Sequence, residues 1–115
     1  MRKRMRCKMI PLQEEIGKIV AQIIERYNPI QIILFGSCAK GCITNRSDID
    51  LCIICEYEHK QEMLTDMLIH IESDRDLDLI LYRLEEWEKY KVDPSTFAYL
   101  ICSKGVELYG RYSKV

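Results

Sequence analysis

Two short apolar segments, separated by a glycine turn and a pair of acids, limit the possible folds of this chain more than any other feature. Residues 30–35 are β-branched and apolar at both odd and even positions, and Gly36 ends the segment. Residues 48–55 begin with two aspartates and continue as an apolar run. Short segments that are apolar on both sides are typical of strands covered on both faces. The sequence therefore predicts a buried sheet.

The rest of the chain alternates between helical and strand patterns. Apolar residues at three- and four-residue steps predict a helix that begins near Pro11 and ends at Asn28-Pro29. The later predicted elements are a helical turn at 37–41, a loop at 42–47, a strand at 48–55, a helix at 58–72, a strand at 76–82, a short helix at 84–91, a helix that Ser95 caps and Gly105 ends, and a strand at 106–109. This order predicts an α/β (α+β) fold, a small mixed sheet with flanking helices.

Length and charge limit the classes of function. A chain of 115 residues that is 48% hydrophobic can bury one core, so we assign one domain to residues 11–112 and a basic arm to residues 1–10. The arm holds five of the 17 basic residues, and the other 12 accompany 18 acidic residues, a net charge of about −6. Such an acidic body makes direct nucleic-acid binding unlikely, and the arm is expected to be a solvated terminus, with contact to RNA or an acidic partner as the alternative.

Membrane and export signals are weak in the sequence. No apolar run approaches the roughly 20 residues that cross a bilayer, and charges soon after the basic arm argue against a signal peptide. Among the six cysteines, Cys52 and Cys55 form a CxxC, but a strand would point them to opposite faces. We therefore expect a cytoplasmic protein with no membrane partner, whose cysteines are mostly small apolar side chains rather than zinc ligands or disulfides.

The acids at the start of the second strand are the strongest chemical signal. Asp48 and Asp50 are expected on one face about 7 Å apart, where their charges repel by roughly 2 kcal/mol at an effective dielectric near 20. A Mg²⁺ ion would offset this repulsion, and a third carboxylate on a neighbouring strand would complete a site for two ions. Asp78 lies in a suitable apolar strand, and Asp76, which shares its face, is the alternative.

The turn between the strands could hold an anion. Gly36 and Ser37 follow a strand, where free backbone N–H groups can face phosphate oxygens. Lys40 could pair with a phosphate, and Gly41 lets the chain leave the turn. A tight turn with a solvated lysine is the alternative interpretation of these residues alone.

Together these residues resemble the signature of the DNA polymerase β-like nucleotidyltransferase superfamily, GS-x-A-[RK]-G followed by a loop and [SD]-D-x-D-L. Its positions here are Gly36, Ser37, Ala39, Lys40, Gly41, Ser47, Asp48, Asp50 and Leu51. The likeness extends over nearly the whole chain, through residues 77–82 and 85–109. It implies the polymerase β-like fold, ATP as substrate, two Mg²⁺ ions held by Asp48, Asp50 and Asp78, and nucleotide binding by Gly36, Ser37, Lys40, Gly41 and Ser47.

The chain resembles the minimal nucleotidyltransferases in length, and these are typically encoded beside a helical HEPN-domain protein. Several such pairs are toxin–antitoxin systems in which AMP is transferred from ATP to a tyrosine of the HEPN RNase. The resemblance thus implies a protein adenylyltransferase antitoxin. The alternatives are a non-catalytic module that neutralises its partner by binding and, less favoured, transfer to a small molecule. Trp87 and Phe97 are expected to pack in a core or an interface rather than stack on a base.

Overall fold

A computed structural model of the protein describes residues 13–36, 39 and 48–111. Its bounded elements are, in chain order, α1 Gln13–Tyr27, β1 Gln31–Phe35, β2 Ile49–Ile54, α2 Lys60–His70, β3 Leu77–Tyr82, α3 Leu84–Tyr90, α4 Phe97–Lys104 and β4 Val106–Gly110. The predicted basic arm, most of the predicted turn at 37–41 and the loop at 42–47 lie outside the described residues.

The strands form one sheet in the order β3-β2-β1-β4. β1 pairs antiparallel with β2 and with β4, whereas β2 pairs parallel with β3. A parallel pair needs a crossover connection, and α2 supplies it between β2 and β3. The predicted mixed sheet with flanking helices is confirmed.

The sheet is covered on both faces, as the two-sided apolar strands predict. Alternate residues of β2 point to opposite sides: Ile49, Leu51 and Ile53 into one core, and Cys52 and Ile54 into the other. Helices α1 and α2 cover the first face through Ile16, Ile19, Ile23 and Met67. Helices α3 and α4 cover the second through Trp87, Ala98 and Ile101. Trp87 is only 1% exposed, so its predicted packing role is confirmed.

The ends of the helices follow local chemistry. α1 ends where Asn28 adopts a positive φ of 50° and Pro29 follows, as predicted. α2 is shorter than the predicted 58–72, because the backbone is extended at both His59 and Ile71.

The predicted cap of α4 is wrong by one residue. Thr96, rather than Ser95, occupies the N-cap, and its hydroxyl accepts a hydrogen bond from the backbone N–H of Tyr99 at 3.2 Å. Ser95 instead donates to the carboxylate of Asp93, both from its backbone N–H and from its hydroxyl. Two adjacent hydroxyl residues are equally good caps by composition, and the turn at Asp93 decides between them.

The register brings three strand ends together. Phe35, the last residue of β1, pairs with Asp50 near the start of β2, and Asp50 pairs with Asp78 near the start of β3. All three side chains follow the parity of the face that α3 and α4 cover. No helix among the described residues has both the length and the apolar character that a membrane span requires.

Candidate active site

Asp50 and Asp78 form the centre of the candidate site. They are direct partners in the parallel pairing of β2 and β3, so their side chains leave the sheet side by side. The carboxyl of Asp78 is close enough to raise the pKa of Asp50, both through its charge and through a hydrogen bond between the two groups.

The surroundings of Asp50 favour its protonated form. Burial raises its pKa from 3.8 to about 6, with further increases from the negative charges of Asp78 and Asp48 and from the hydrogen bond to Asp78. Desolvation and like charges act in the same direction for a carboxylate. A carboxyl whose pKa is raised by burial and by neighbouring acids is a candidate functional group.

Asp48 and Asp76 differ in their relation to Asp50. Asp48 precedes β2, is exposed, and lies close enough to Asp50 to raise its pKa. Asp76 contributes its backbone carbonyl, which accepts from the N–H of Ile49 at 3.0 Å, and its charge is not among those that raise the pKa of Asp50. The acids whose charges raise the pKa of Asp50 are Asp78 and Asp48.

Gly36 lies directly against Asp50. Its φ is +78°, which side chains with a Cβ rarely adopt, and a Cβ placed there would touch the Asp50 carboxylate and approach its Cγ to 3.0 Å. Both the backbone and the neighbouring acid therefore require glycine at this position. Of the other predicted phosphate-binding residues, Ser37, Lys40, Gly41 and Ser47 lie outside the described residues.

The carboxyl pair suits a hard cation in its chemistry. Carboxylate oxygens are the ligands that Mg²⁺ prefers, and the ion commonly takes one or two carboxylates together with substrate phosphates. Within the described ranges no three His, Cys, Asp or Glu side chains are arranged as a ready-made metal site. Asp50 and Asp78, direct partners across β2 and β3, are the residues that would hold such an ion.

A cavity of about 430 Å³ lies on the α4 side of the sheet, and Gly36 forms part of its lining. Its lining residues are Phe35, Gly36, Phe97, Leu100, Ile101 and Lys104. Phe97 is 50% exposed, so the predicted packing role describes only part of its surroundings. The missed signal is the spacing of Phe97, Leu100 and Lys104, which form a second stripe on α4 beside the buried Ala98 and Ile101.

The CxxC cysteines lie apart from this site and from each other. Cys52 is buried under α3 and α4, and Cys55 is buried on the α1 and α2 side. This opposite placement is the predicted one and prevents the pair from sharing an ion.

Comparisons with known proteins agree with this geometry. Residues 18–114 match the family model described as polymerase beta, nucleotidyltransferase. The fold is similar to the crystal structure of a candidate nucleotidyltransferase from Sulfolobus solfataricus, with a TM-score of 0.55, 19% sequence identity and 94% of each chain covered. A search of curated proteins finds no significant match. Since the family model spans most of the chain and includes the glycine turn and the three acids, the protein belongs to the polymerase β nucleotidyltransferase family.

Proposed function

We propose that this protein is a Mg²⁺-dependent nucleotidyltransferase that moves a nucleoside monophosphate from ATP to the hydroxyl of an acceptor. The observation that carries the proposal is the contact between the carboxyls of Asp50 and Asp78 beside Gly36. Family membership supports the reaction type. The turn that begins at Gly36 would hold phosphates within reach of the acids.

The three acids would hold Mg²⁺, with Asp48 and Asp50 shared between two ions and Asp78 on one of them. When bound, the metal neutralises the charge of the triphosphate and lowers the pKa of the attacking hydroxyl. Its binding offsets the mutual repulsion that raises the pKa of Asp50.

The reaction itself is a displacement at the α-phosphorus. The acceptor oxygen forms a bond to this atom while the bond to the oxygen that leads to the β-phosphorus breaks, and pyrophosphate leaves. The proton of the acceptor hydroxyl passes to Asp78, whose carboxylate is exposed and accessible. Positioning and charge stabilisation supply most of the rate in such transfers.

We further propose that the acceptor is a tyrosine of a HEPN-domain RNase and that the protein acts as its antitoxin. The resemblance to minimal nucleotidyltransferases motivates this choice. The exposure of Asp48 and Asp78 supports it, because a side chain presented on the surface of another protein could reach an open site.

The test is incubation with α-³²P-labelled ATP, Mg²⁺ and the product of the adjacent gene. We expect label on the partner with the wild-type chain and none with Asp50→Asn or Asp78→Asn. Asp74→Asn is the matched control, since this exposed aspartate lies beside α1, away from the carboxyl pair. Asp76→Asn should also transfer label.

Two results would change the assignment. A stable complex that inhibits the partner without label would replace catalysis with neutralisation by binding. Label on a small hydroxylated compound without any partner would replace the protein acceptor with a small molecule.

A further inference from the structure

An aromatic ring that lines the same cavity as Gly36 is half exposed to solvent. Phe97 is 50% exposed, and its ring meets that of Phe35 edge-to-face, with the centroids 5.7 Å apart and the planes at 87°. This contact involves the edge of one ring only, so aromatic surface stays open on the cavity side. Trp87, another aromatic residue under the same face of the sheet, is fully packed.

Gly36 links this cavity to the carboxylates. It lines the cavity and also lies against the carboxyl of Asp50. A ligand with its phosphates at Gly36 could therefore extend its other end into this open cavity. The volume of about 430 Å³ is within the range of small-molecule sites.

We propose that this cavity, between the end of β1 and helix α4, binds the base of the nucleotide by stacking it on Phe97. The inference rests on the proposed function and adds how the same site selects the nucleotide base.

The lining predicts how selective the cavity is. Among the lining residues that the structure describes, Lys104 is the one with a polar side chain, and the others offer carbon surface or backbone. Stacking on an aromatic ring accepts any base, because every base has a π-face, whereas discrimination needs hydrogen bonds to the base edge. The cavity should therefore prefer purines, which have the larger rings, and discriminate weakly between adenine and guanine.

Lys104 adds charge rather than selectivity. It lies at the end of α4 on an exposed part of the helix, and a flexible ammonium can approach phosphate oxygens from many directions. Lys104 should raise the affinity for all nucleoside triphosphates to a similar extent.

The experiment is calorimetric titration in Mg²⁺ with the α,β-methylene analogues of ATP, GTP, CTP and UTP, and with inorganic tripolyphosphate. The methylene group replaces the oxygen whose bond breaks in transfer, so binding is measured without turnover. We expect the ATP and GTP analogues to bind within about 10-fold of each other, and both more tightly than the pyrimidine analogues. Phe97→Ala should weaken the ATP analogue by roughly 5- to 150-fold and leave tripolyphosphate unchanged.

Two further variants separate stacking from structure. Phe97→Leu keeps an apolar contact with Phe35 but removes the ring, and should lose affinity as Phe97→Ala does. Tyr99→Ala removes a partly exposed aromatic residue of the same helix that does not line the cavity, and should bind like the wild type.

Unchanged affinity of Phe97→Leu for the ATP analogue would overturn the base site, as would an equal loss for tripolyphosphate. If these variants bind nucleotide normally but no longer bind the acceptor protein, the cavity belongs to the acceptor. In each of these cases the proposed function stands. A wild-type protein that binds neither the analogues nor tripolyphosphate in Mg²⁺ would remove both proposals.

Discussion

Asp50 and Asp78 are direct partners in the parallel pairing of β2 and β3, and burial together with the charge of this neighbour raises the pKa of Asp50 from 3.8 to about 6. The carboxyl of Asp50 therefore binds a proton more tightly in the folded protein than in the unfolded chain. The contribution of Asp50 to stability is therefore full below about pH 3.8 and is lost as the pH rises through about 6.

Replacing Asp50 with a neutral residue should stabilise the protein, although it should stop nucleotide transfer. At pH 8 the Asp50 carboxylate is ionised at an energetic cost, which the neutral amide of Asp50→Asn avoids. We expect a gain of about 1 kcal/mol at pH 8, less than the pKa shift alone implies because the carboxyl is partly solvated, and a smaller gain at pH 4.5. Urea unfolding followed by circular dichroism measures both. Asp74→Asn should change neither value, and a gain that does not depend on pH would contradict the raised pKa of Asp50.

Protons and Mg²⁺ should compete for the same pair. At pH 5, about one unit below the pKa of Asp50, the apparent affinity for Mg²⁺ should fall roughly tenfold relative to pH 8. In thermal melts, ~10 mM Mg²⁺ should raise the Tm of the wild type at pH 8 much more than at pH 5, and should not raise that of Asp50→Asn. Equal shifts at both pH values would show that the ion binds elsewhere.

Gly36→Ala should damage both the turn and the acid next to it. The φ of +78° costs about 1–2 kcal/mol for an alanine, and its Cβ would displace the Asp50 carboxyl. We expect lower stability in urea together with loss of Mg²⁺-dependent nucleotide binding. Gly17→Ala is the matched control, since no atom lies within 4 Å of an added Cβ in this exposed part of α1. It should stabilise the protein by up to about 1 kcal/mol, and equal effects of the two alanines would refute the close approach to Asp50.

The hydroxyl of Thr96 should matter more than that of Ser95. It caps α4 and also lies 2.7 Å from the carbonyl oxygen of Tyr90 and 2.8 Å from that of Asp93, to which it can donate. Thr96→Ala should cost about 1 kcal/mol in unfolding free energy, whereas Ser95→Ala should cost less and Thr96→Ser should be nearly neutral. A larger loss of unfolding free energy in Ser95→Ala than in Thr96→Ala would show that Ser95 is the N-cap residue.

The strands and the faces on which their side chains lie can be predicted from the sequence, because successive side chains of a strand alternate between its two faces. The sequence does not decide between Asp76 and Asp78, which share a face of the predicted strand 76–82. The register of the parallel pairing across α2 places Asp78 opposite Asp50, whereas Asp76 precedes β3. The sequence also misses the open ring of Phe97. Apolar residues on two sides of a short helix do not reveal which side packs on the sheet and which lines a cavity.

The parallel pairing of β2 with β3 has a consequence for folding. A β1–β2 hairpin can form from local contacts, but it contains only Asp48 and Asp50, and the partner carboxyl arrives with β3 after the α2 crossover has closed. No hairpin intermediate therefore has the complete acidic centre. An assay of metal binding during refolding would report when the topology is finished, and a misassembled chain would be inactive rather than poorly selective.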